Sequence, residues 1–332
     1  MSITGVRIKD FLVFRGELTA NFGDGKGINI FVGDNGAGKT TLIKVLYAAC
    51  SNKRILIDYF ETDYKASRAI SKWNFKDITT IDEIGMQNFP IVVHFSSGEV
   101  FTWGSPYFVE SPGKIMQSVY IPEKDMLSNA KGLPKAVRQS DAQFNRTEID
   151  IKEKASMRAR TDKQLIYSKI CNIIGGKPNI KGEKFYVERH DIGENIPFSM
   201  EASGFRKFAL LAMLVQNEQI RPGSALFWDE PENSLNRELM PQLVNILLEL
   251  ANNGVQIFIA THEYKLVRYF DVRKNKDIPV LYHNLTKQAG NGQISCKSYT
   301  RYAEMRNNLL ERANENLFEA VVADAMGDDD DE

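Results

Sequence analysis

"INIFVGDNGAGKTTLIKVLYAAC", Ile28 to Cys50, is the stretch that decides the fold. "INIFV" is short, apolar and unbroken, the pattern of a strand buried on both faces. A glycine-rich turn follows, and then "KTTLIKVLYAAC", which reads as a helix. The turn itself, Gly33-Asp34-Asn35-Gly36-Ala37-Gly38-Lys39-Thr40, fits G-x-x-x-x-G-K-[ST] between a strand and a helix. Its glycines let backbone N–H groups wrap a phosphate that any side chain would keep away. Lys39 is placed to reach the β- and γ-phosphates of a nucleotide and the Thr40 hydroxyl to bind Mg²⁺, with Thr41 completing the binding loop. A dinucleotide loop is excluded, because "GDGKG" at Gly23 lacks the G-x-G-x-x-G spacing.

Two further buried strands end in chemistry. "ALFWDEPENSLN", Ala225 to Asn236, runs four apolar residues into Asp229 and Glu230. A strand that ends so delivers both carboxylates to the edge of a sheet where nucleotides sit in open α/β folds. Asp229 is expected to hold Mg²⁺ through water, and Glu230 to polarise the attacking water as general base. "VQIFIATHEY" ends in Thr261-His262, and His262 is expected to reach a γ-phosphate; His94, His190 and His283 keep structural roles. "MEASGFRKFALLAMLV", Met200 to Val215, is an amphipathic helix with Glu201, Ser203, Gly204, Arg206 and Lys207 at its front. Unpaired N–H groups and two cations there make an anion site; read without it, Ser203 is simply the helix N-cap.

The bulk numbers narrow the class. The chain has 332 residues, 43% hydrophobic and 26% charged, with net charge −1, so any nucleic-acid surface is local rather than global. Cys50, Cys171 and Cys296 lie far apart with no ligand spacing, which argues for reduced structural thiols and against zinc. No apolar run approaches the roughly 18 residues of a membrane span, and "MSITGVRIKDF" has neither a signal core nor a transit pattern. A cytoplasmic protein with no membrane contact is expected.

Along the chain, "GVRIKDFLVFRGELTANF" reads as a strand pair around Arg15-Gly16, and "PIVVHFSSGEVFTW" as a hairpin turning at Ser97–Gly98. "QSVYIP", "KFYVERH" and "PVLYHNL" read as strands, and "RELMPQLVNILLELA" as a helix. Lys124 to Lys163 carries ten Lys/Arg against six Asp/Glu, a modest basic face. Met305, Leu309, Ala313, Leu317 and Val321 form a helical stripe that is expected to be buried, on the chain's own sheet or on a second protein. The resulting plan is α/β with a mainly parallel core sheet, an antiparallel β subdomain and a helical subdomain. Residues 1–123 form a nucleotide-binding core with the antiparallel β subdomain, and 124–199 a mostly helical insert. Residues 200–300 complete the core, 301–326 form a terminal helix, and 327–332 an acidic disordered tail.

Together these motifs resemble the ABC ATPase superfamily. A Walker A "GDNGAGKT", a signature-like "ASGFR", a Walker B "LFWDEPE", a D-loop-like "NSLN" and a switch-like "ATHE" stand in the order of that family. The resemblance implies an ATP- and Mg²⁺-dependent ATPase head working as a head-to-tail homodimer. Ser203 and Gly204 would then meet the γ-phosphate bound to the partner subunit, with Arg206 adding charge where the usual signature has glutamine. Where the family places a glutamine after the strand "QSVYIP", this chain has Glu123 as the nearest polar substitute, a candidate metal contact. "DEPENSLN" departs from the "DEPTSGLD" of transporter subunits and resembles the soluble branch: RecF-type, SMC-type and OLD-like ATPases, and those of bacterial anti-phage defence and toxin–antitoxin operons. That branch implies coupling to nucleic acid or to a separate effector, a nuclease or toxin; a transporter subunit and a RecF-like repair ATPase are the alternatives.

Overall fold

The computed structural model describes residues 1–50, 91–105, 108–110, 113, 115–124, 146–161, 165–182, 184–288, 290–305 and 309–327. Residues 51–90, most of the basic stretch 124–163 and residues 328–332 of the acidic tail lie outside them.

The fold is built on a six-stranded sheet in the order β14-β13-β3-β12-β11-β7. Its strands are β3 (Ile28–Gly33), β7 (Ser118–Ile121), β11 (Ala225–Asp229), β12 (Gln256–Ala260), β13 (Val280–Lys287) and β14 (Ile294–Tyr299). The first five run parallel and β14 pairs antiparallel with β13. Alternation along β3 explains how both faces are covered. Ile28, Ile30 and Val32 enter one apolar cluster and Phe31 the other, as the two-residue period of a strand requires. On the Phe31 face lie helix α1 (Lys39–Cys50) and a five-stranded sheet, β2-β1-β4-β5-β6. Its strands are β1 (Ile3–Phe11), β2 (Phe14–Asn21), β4 (Ile91–Phe95), β5 (Val100–Ser105) and β6 (Phe108–Glu110). Phe227 and Phe258 stack between these layers with ring centroids 4.9 Å apart.

The opposite face carries α2 (Arg146–Ala155), α3 (Leu165–Ile174), α4 (Ser203–Gln216), α5 (Met240–Asn252) and α6 (Tyr264–Arg273). A small sheet, β10 (Asn195–Pro197), β9 (Lys184–Arg189) and β8 (Gly176–Lys181), leads into α4. The last helix is α7 (Leu309–Gly327).

Four expectations change. The first strand pair turns at Leu12–Val13, with Asp10 and Leu12 at positive φ, while Gly16 lies inside β2. The bulge between Lys9 and Phe11 shifts the register, so that Leu18 and Ala20 face inward. The helical insert of 124–199 becomes sheet from Gly176, where Gly175 and Gly182 adopt left-handed backbone and Pro178 opposes helix. Ser203 is not the cap of α4: Ala202 takes that position and no side chain caps the helix. Finally, the terminal stripe does not pack on the chain's own sheet. Leu310 touches the core and Met305 is buried, but Leu317, Phe318 and Val321 are 64%, 69% and 58% exposed. Tyr302 ends the covered region, held edge-on by Tyr264 and Tyr282 beneath the Arg268 guanidinium.

Candidate nucleotide-binding site

Register alone brings the motif residues together. Asp229 pairs with Ala260 across β11 and β12, Ala260 with Phe31 across β12 and β3, and Leu285 with Gly33 across β13 and β3. Parallel strands in register end at one edge, so the phosphate loop after β3, the acids closing β11 and the Thr-His after β12 open side by side.

The loop is shaped by glycine. Gly38 has φ +84°, and a Cβ there would come within 2.7 Å of the Phe14 ring. The strand pair β1–β2 thus presses on the loop at a point that tolerates no side chain. Lys39 is buried, and its ammonium donates to the carbonyl oxygens of Gly33 (2.7 Å) and Asp34 (3.1 Å). Burial lowers its pKa from the ordinary lysine value, opposed by the charges of Glu230, Asp229, Asp34 and Glu232. Asp34, Asn35 and Gly36 are exposed along the loop and Ala37 is buried beneath it; Thr40 and Thr41 open α1.

Thr40 Oγ1 donates to Asp229 Oδ1 at 3.0 Å, the pairing expected of residues that share a hard cation. A hydroxyl and a carboxylate at this spacing fit Mg²⁺, for which phosphate oxygens and water supply the remaining ligands. Tyr120 on β7 donates to the other oxygen, Oδ2, at 3.1 Å. Burial raises the Asp229 pKa; the Thr40 and Tyr120 hydrogen bonds lower it and Glu230 adds to the rise.

Glu230 Oε1 lies 2.9 Å from His262 Nδ1, so the two residues expected to act on water are in contact. Glu230 itself has φ +45°, a left-handed backbone that is uncommon for a residue with a side chain. Its N–H donates to Ala260 O at 2.9 Å, which fixes the turn to the neighbouring strand. Glu232, not singled out by sequence, is buried beside them and accepts from Thr261 Oγ1. Burial raises its pKa, opposed first by that hydrogen bond.

The remaining expected residues fall elsewhere. Glu123 follows β7, and its Oε1 accepts from Asn233 Nδ2 at 2.7 Å. Its carboxylate thus meets the turn after β11. Among the described residues, no group of three or more His, Cys, Asp or Glu could hold a metal ion. Arg206 Nη1 donates to the backbone oxygens of Glu201 (2.9 Å) and Phe198 (3.2 Å), so its guanidinium braces the approach to α4 and is directed inward. Ser203 Oγ donates to Ser234 O at 2.7 Å, and Gly204 is buried against Leu235 and Leu239. His283 is buried and structural: Nδ1 meets Ser298 Oγ, Nε2 meets Asn29 Oδ1, and the ring stacks on Phe31.

Residues 109–268, just under half of the chain, match the family described as "AAA domain, putative AbiEii toxin, Type IV TA system". This match, with the ordered motifs and the edge they form, supports a P-loop ATPase similar to those of the ABC superfamily. No curated protein matches it. Solved structures it is similar to include the SMC head domain from Thermotoga maritima, at 15% identity and TM-score 0.46, covering 90% of this chain and 99% of that one. An Smc head domain derived from Pyrococcus furiosus, bound to the C-terminal domain of ScpA, gives 12% identity and TM-score 0.49 over 96% and 99%. An ATP-binding cassette of an ABC transporter, in its ADP conformation, gives 15% and 0.43 over 92% and 94%. Among the described residues, no helix is long and apolar enough to cross a membrane.

Proposed function

We propose that this ATPase hydrolyses ATP with Mg²⁺ in a head-to-tail homodimer, each of whose two sites is completed by the partner's Ser203 and Gly204. The observation that carries the reading is the single edge on which Lys39, the Thr40–Asp229 pair and the Glu230–His262 pair converge. Lys39 orients the β- and γ-phosphates. Thr40 and Asp229 would hold Mg²⁺, and the ion would offset charge on the phosphate oxygens. Glu230, partnered by His262, takes up the proton of the attacking water. Sharing of sites is supported by the placement of Ser203, which bonds Ser234 and, among the described residues, no part of the phosphate loop. Arg206 and Glu123 enter this scheme as braces of the two turns.

In the cell we read the dimer as the cytoplasmic sensor or motor of a bacterial anti-phage defence or toxin–antitoxin complex. The family match to 109–268 supports this role. Its effector would be a separate nuclease or toxin, with nucleic acid as a candidate trigger. The nucleotide-binding core is made of the segments 1–123 and 200–300, on either side of the insert.

The dimer is tested by mixing two inactive variants. Lys39→Ala removes nucleotide binding, and Ser203→Arg blocks the surface offered to the partner's nucleotide. Each alone should hydrolyse at less than about a hundredth of the wild-type rate. Mixed one to one, they assemble one whole site per heterodimer and should recover about a quarter of the wild-type rate. Dimers with no recovered rate would refute shared sites. Glu230→Gln should bind ATP, turn over at least about 100-fold more slowly and accumulate as a dimer.

A further inference from the structure

The start of α4 does more than present Ser203. Ser203 and Lys207 stand four residues apart, hence on one face of the helix. Both end on main-chain oxygens of the turn that follows β11. Ser203 Oγ donates to Ser234 O at 2.7 Å, while Lys207 Nζ donates to Glu230 O at 3.2 Å and Pro231 O at 3.1 Å. The gripped segment begins and ends with non-glycine residues in left-handed backbone, Glu230 at φ +45° and Ser234 at φ +58°. Such a conformation is disfavoured by the clash of Cβ with the backbone and persists where its surroundings hold it. Gly204 allows the close approach: a Cβ there would lie 3.0 Å from Leu239 Cδ1 and 3.2 Å from Leu235 Cδ1.

We propose that Lys207 is a positioning residue for hydrolysis. Its ammonium holds the backbone of Glu230 in the conformation that sets the carboxylate against His262, and it ties that conformation to the position of α4. The inference rests on the reading of Glu230 as base and of α4 as the surface facing the partner's nucleotide. Under that reading, α4 belongs to one composite site and Glu230 to the other. The clamp therefore makes them a single piece within each subunit, and engagement of one site is felt as alignment of the base in the second. A lysine suits the task because one ammonium carries three donors, enough to serve both carbonyls at once.

The test is Lys207→Met, which keeps most of the stem and removes the donors, with Lys207→Arg as the conservative rescue. For Lys207→Met, kcat should fall at least about 10-fold while KM and the directly measured Kd for ATP change less than 2-fold and Tm stays within 2 °C. Lys207→Arg should return at least a third of the rate. Placed in Glu230→Gln, Lys207→Met should lower the residual rate less than 2-fold, because the group it positions is already gone. Should Lys207→Met melt early, Lys207→Gln gives the same kcat-against-KM readout. Wild-type kcat, a loss confined to KM, or an equal loss in the Glu230→Gln background would each overturn the inference. Wild-type turnover by Glu230→Gln would remove the base assignment and this inference with it. Normal turnover by Lys207→Met beside an inactive Glu230→Gln removes the inference alone.

Discussion

The edge of the parallel sheet and the terminal helix invert the usual distribution of side chains in opposite senses. At the edge the chain buries charge, in Lys39, Asp229 and Glu232. On α7 it exposes hydrocarbon, in Leu317, Phe318 and Val321. The buried charges at the edge find their partners within the chain. Thr40 and Tyr120 hold Asp229, Thr261 holds Glu232, and loop carbonyls hold Lys39. Among the described residues, nothing covers Leu317, Phe318 and Val321. Buried charge costs stability that only function justifies. Exposed hydrocarbon costs the folded chain little, because its surroundings resemble those it had when unfolded. The two regions should therefore respond oppositely to substitution.

The largest expected effect is at Asp229. Burial raises its pKa above the ordinary carboxylate range. A carboxyl whose pKa rises on folding binds more protons in the native state. It therefore favours the fold at low pH, and that contribution is lost as pH rises from the unfolded value through the raised native one. At pH 8 the charged group is a burden that Asp229→Asn should lift. We expect Tm to rise by about 2 °C at pH 8, equivalent to about 1 kcal/mol, with the gain shrinking toward pH 4. ATP turnover should drop at least about 100-fold as the carboxylate partner of Thr40 is lost. A lower Tm at pH 8 would mean that the edge is stabilised by its charge, and the contrast with α7 would fail.

How far the sequence foretold these two regions follows from the range of the interactions involved. Gly33–Thr40, Asp229–Glu230 and His262 were legible because each sits at the end of an apolar run, and strand ends of a parallel sheet converge without further information. Tyr120 and Glu232 were not, since their partners lie 109 and 29 residues away and follow only from the packed fold. Tyr120 had one readable signal, a phenol hydroxyl on a strand that reads as buried, which needs a partner there. The Arg206 cation stands where the anion site is expected, and that its guanidinium reaches back to Phe198 and Glu201 follows only from the packed fold. Of the small sheet only β9 was legible, as "KFYVERH"; β8 and β10 were not, because "GKPNIK" and "NIP" are short and polar. On α7 the helix was legible from its period, but periodicity states that a face is apolar and not what lies against it.

A smaller effect is expected at His283, which shows what buried polarity does when it has no catalytic task. Burial pushes its pKa down to about 3. The native imidazole stays neutral while the unfolded chain takes up a proton below about pH 6.5, so stability is intact at neutral pH and lost as pH falls. At pH 5 this amounts to about 2 kcal/mol, the opposite slope to that of Asp229. Denaturant unfolding at pH 7.5 and pH 5 should show the wild type losing about 2 kcal/mol more than His283→Gln, the other titrating groups cancelling in the comparison. Equal losses would show that the ring is protonated in the native state, and that the Ser298 and Asn29 contacts accommodate the charge.

The smallest effect is expected at Leu317, and its smallness is the test of the contrast. Were α7 packed on the chain's own sheet, Leu317→Asp would bury an unpaired charge and cost several kcal/mol. With the side chain exposed, only helix propensity and local charge change, so the cost should stay within about 0.5 kcal/mol and Tm within about 1 °C. ATP turnover should be unaffected, because among the described residues no contact links Leu317 to the sheet edge. Leu309–Gly327 carries Glu311, Glu315, Glu319 and Asp324 against Arg312 alone, so pairing of two such helices brings like charges together. This favours a different protein over a second copy as what the helix meets. Co-expressed with the products of the neighbouring genes, the wild type should retain one of them and the same variant should lose it, with no change in its own oligomeric state. A fall in Tm of several degrees would place the stripe inside the fold in solution. Equal retention of the neighbour by a stable variant would move the docking surface off this helix.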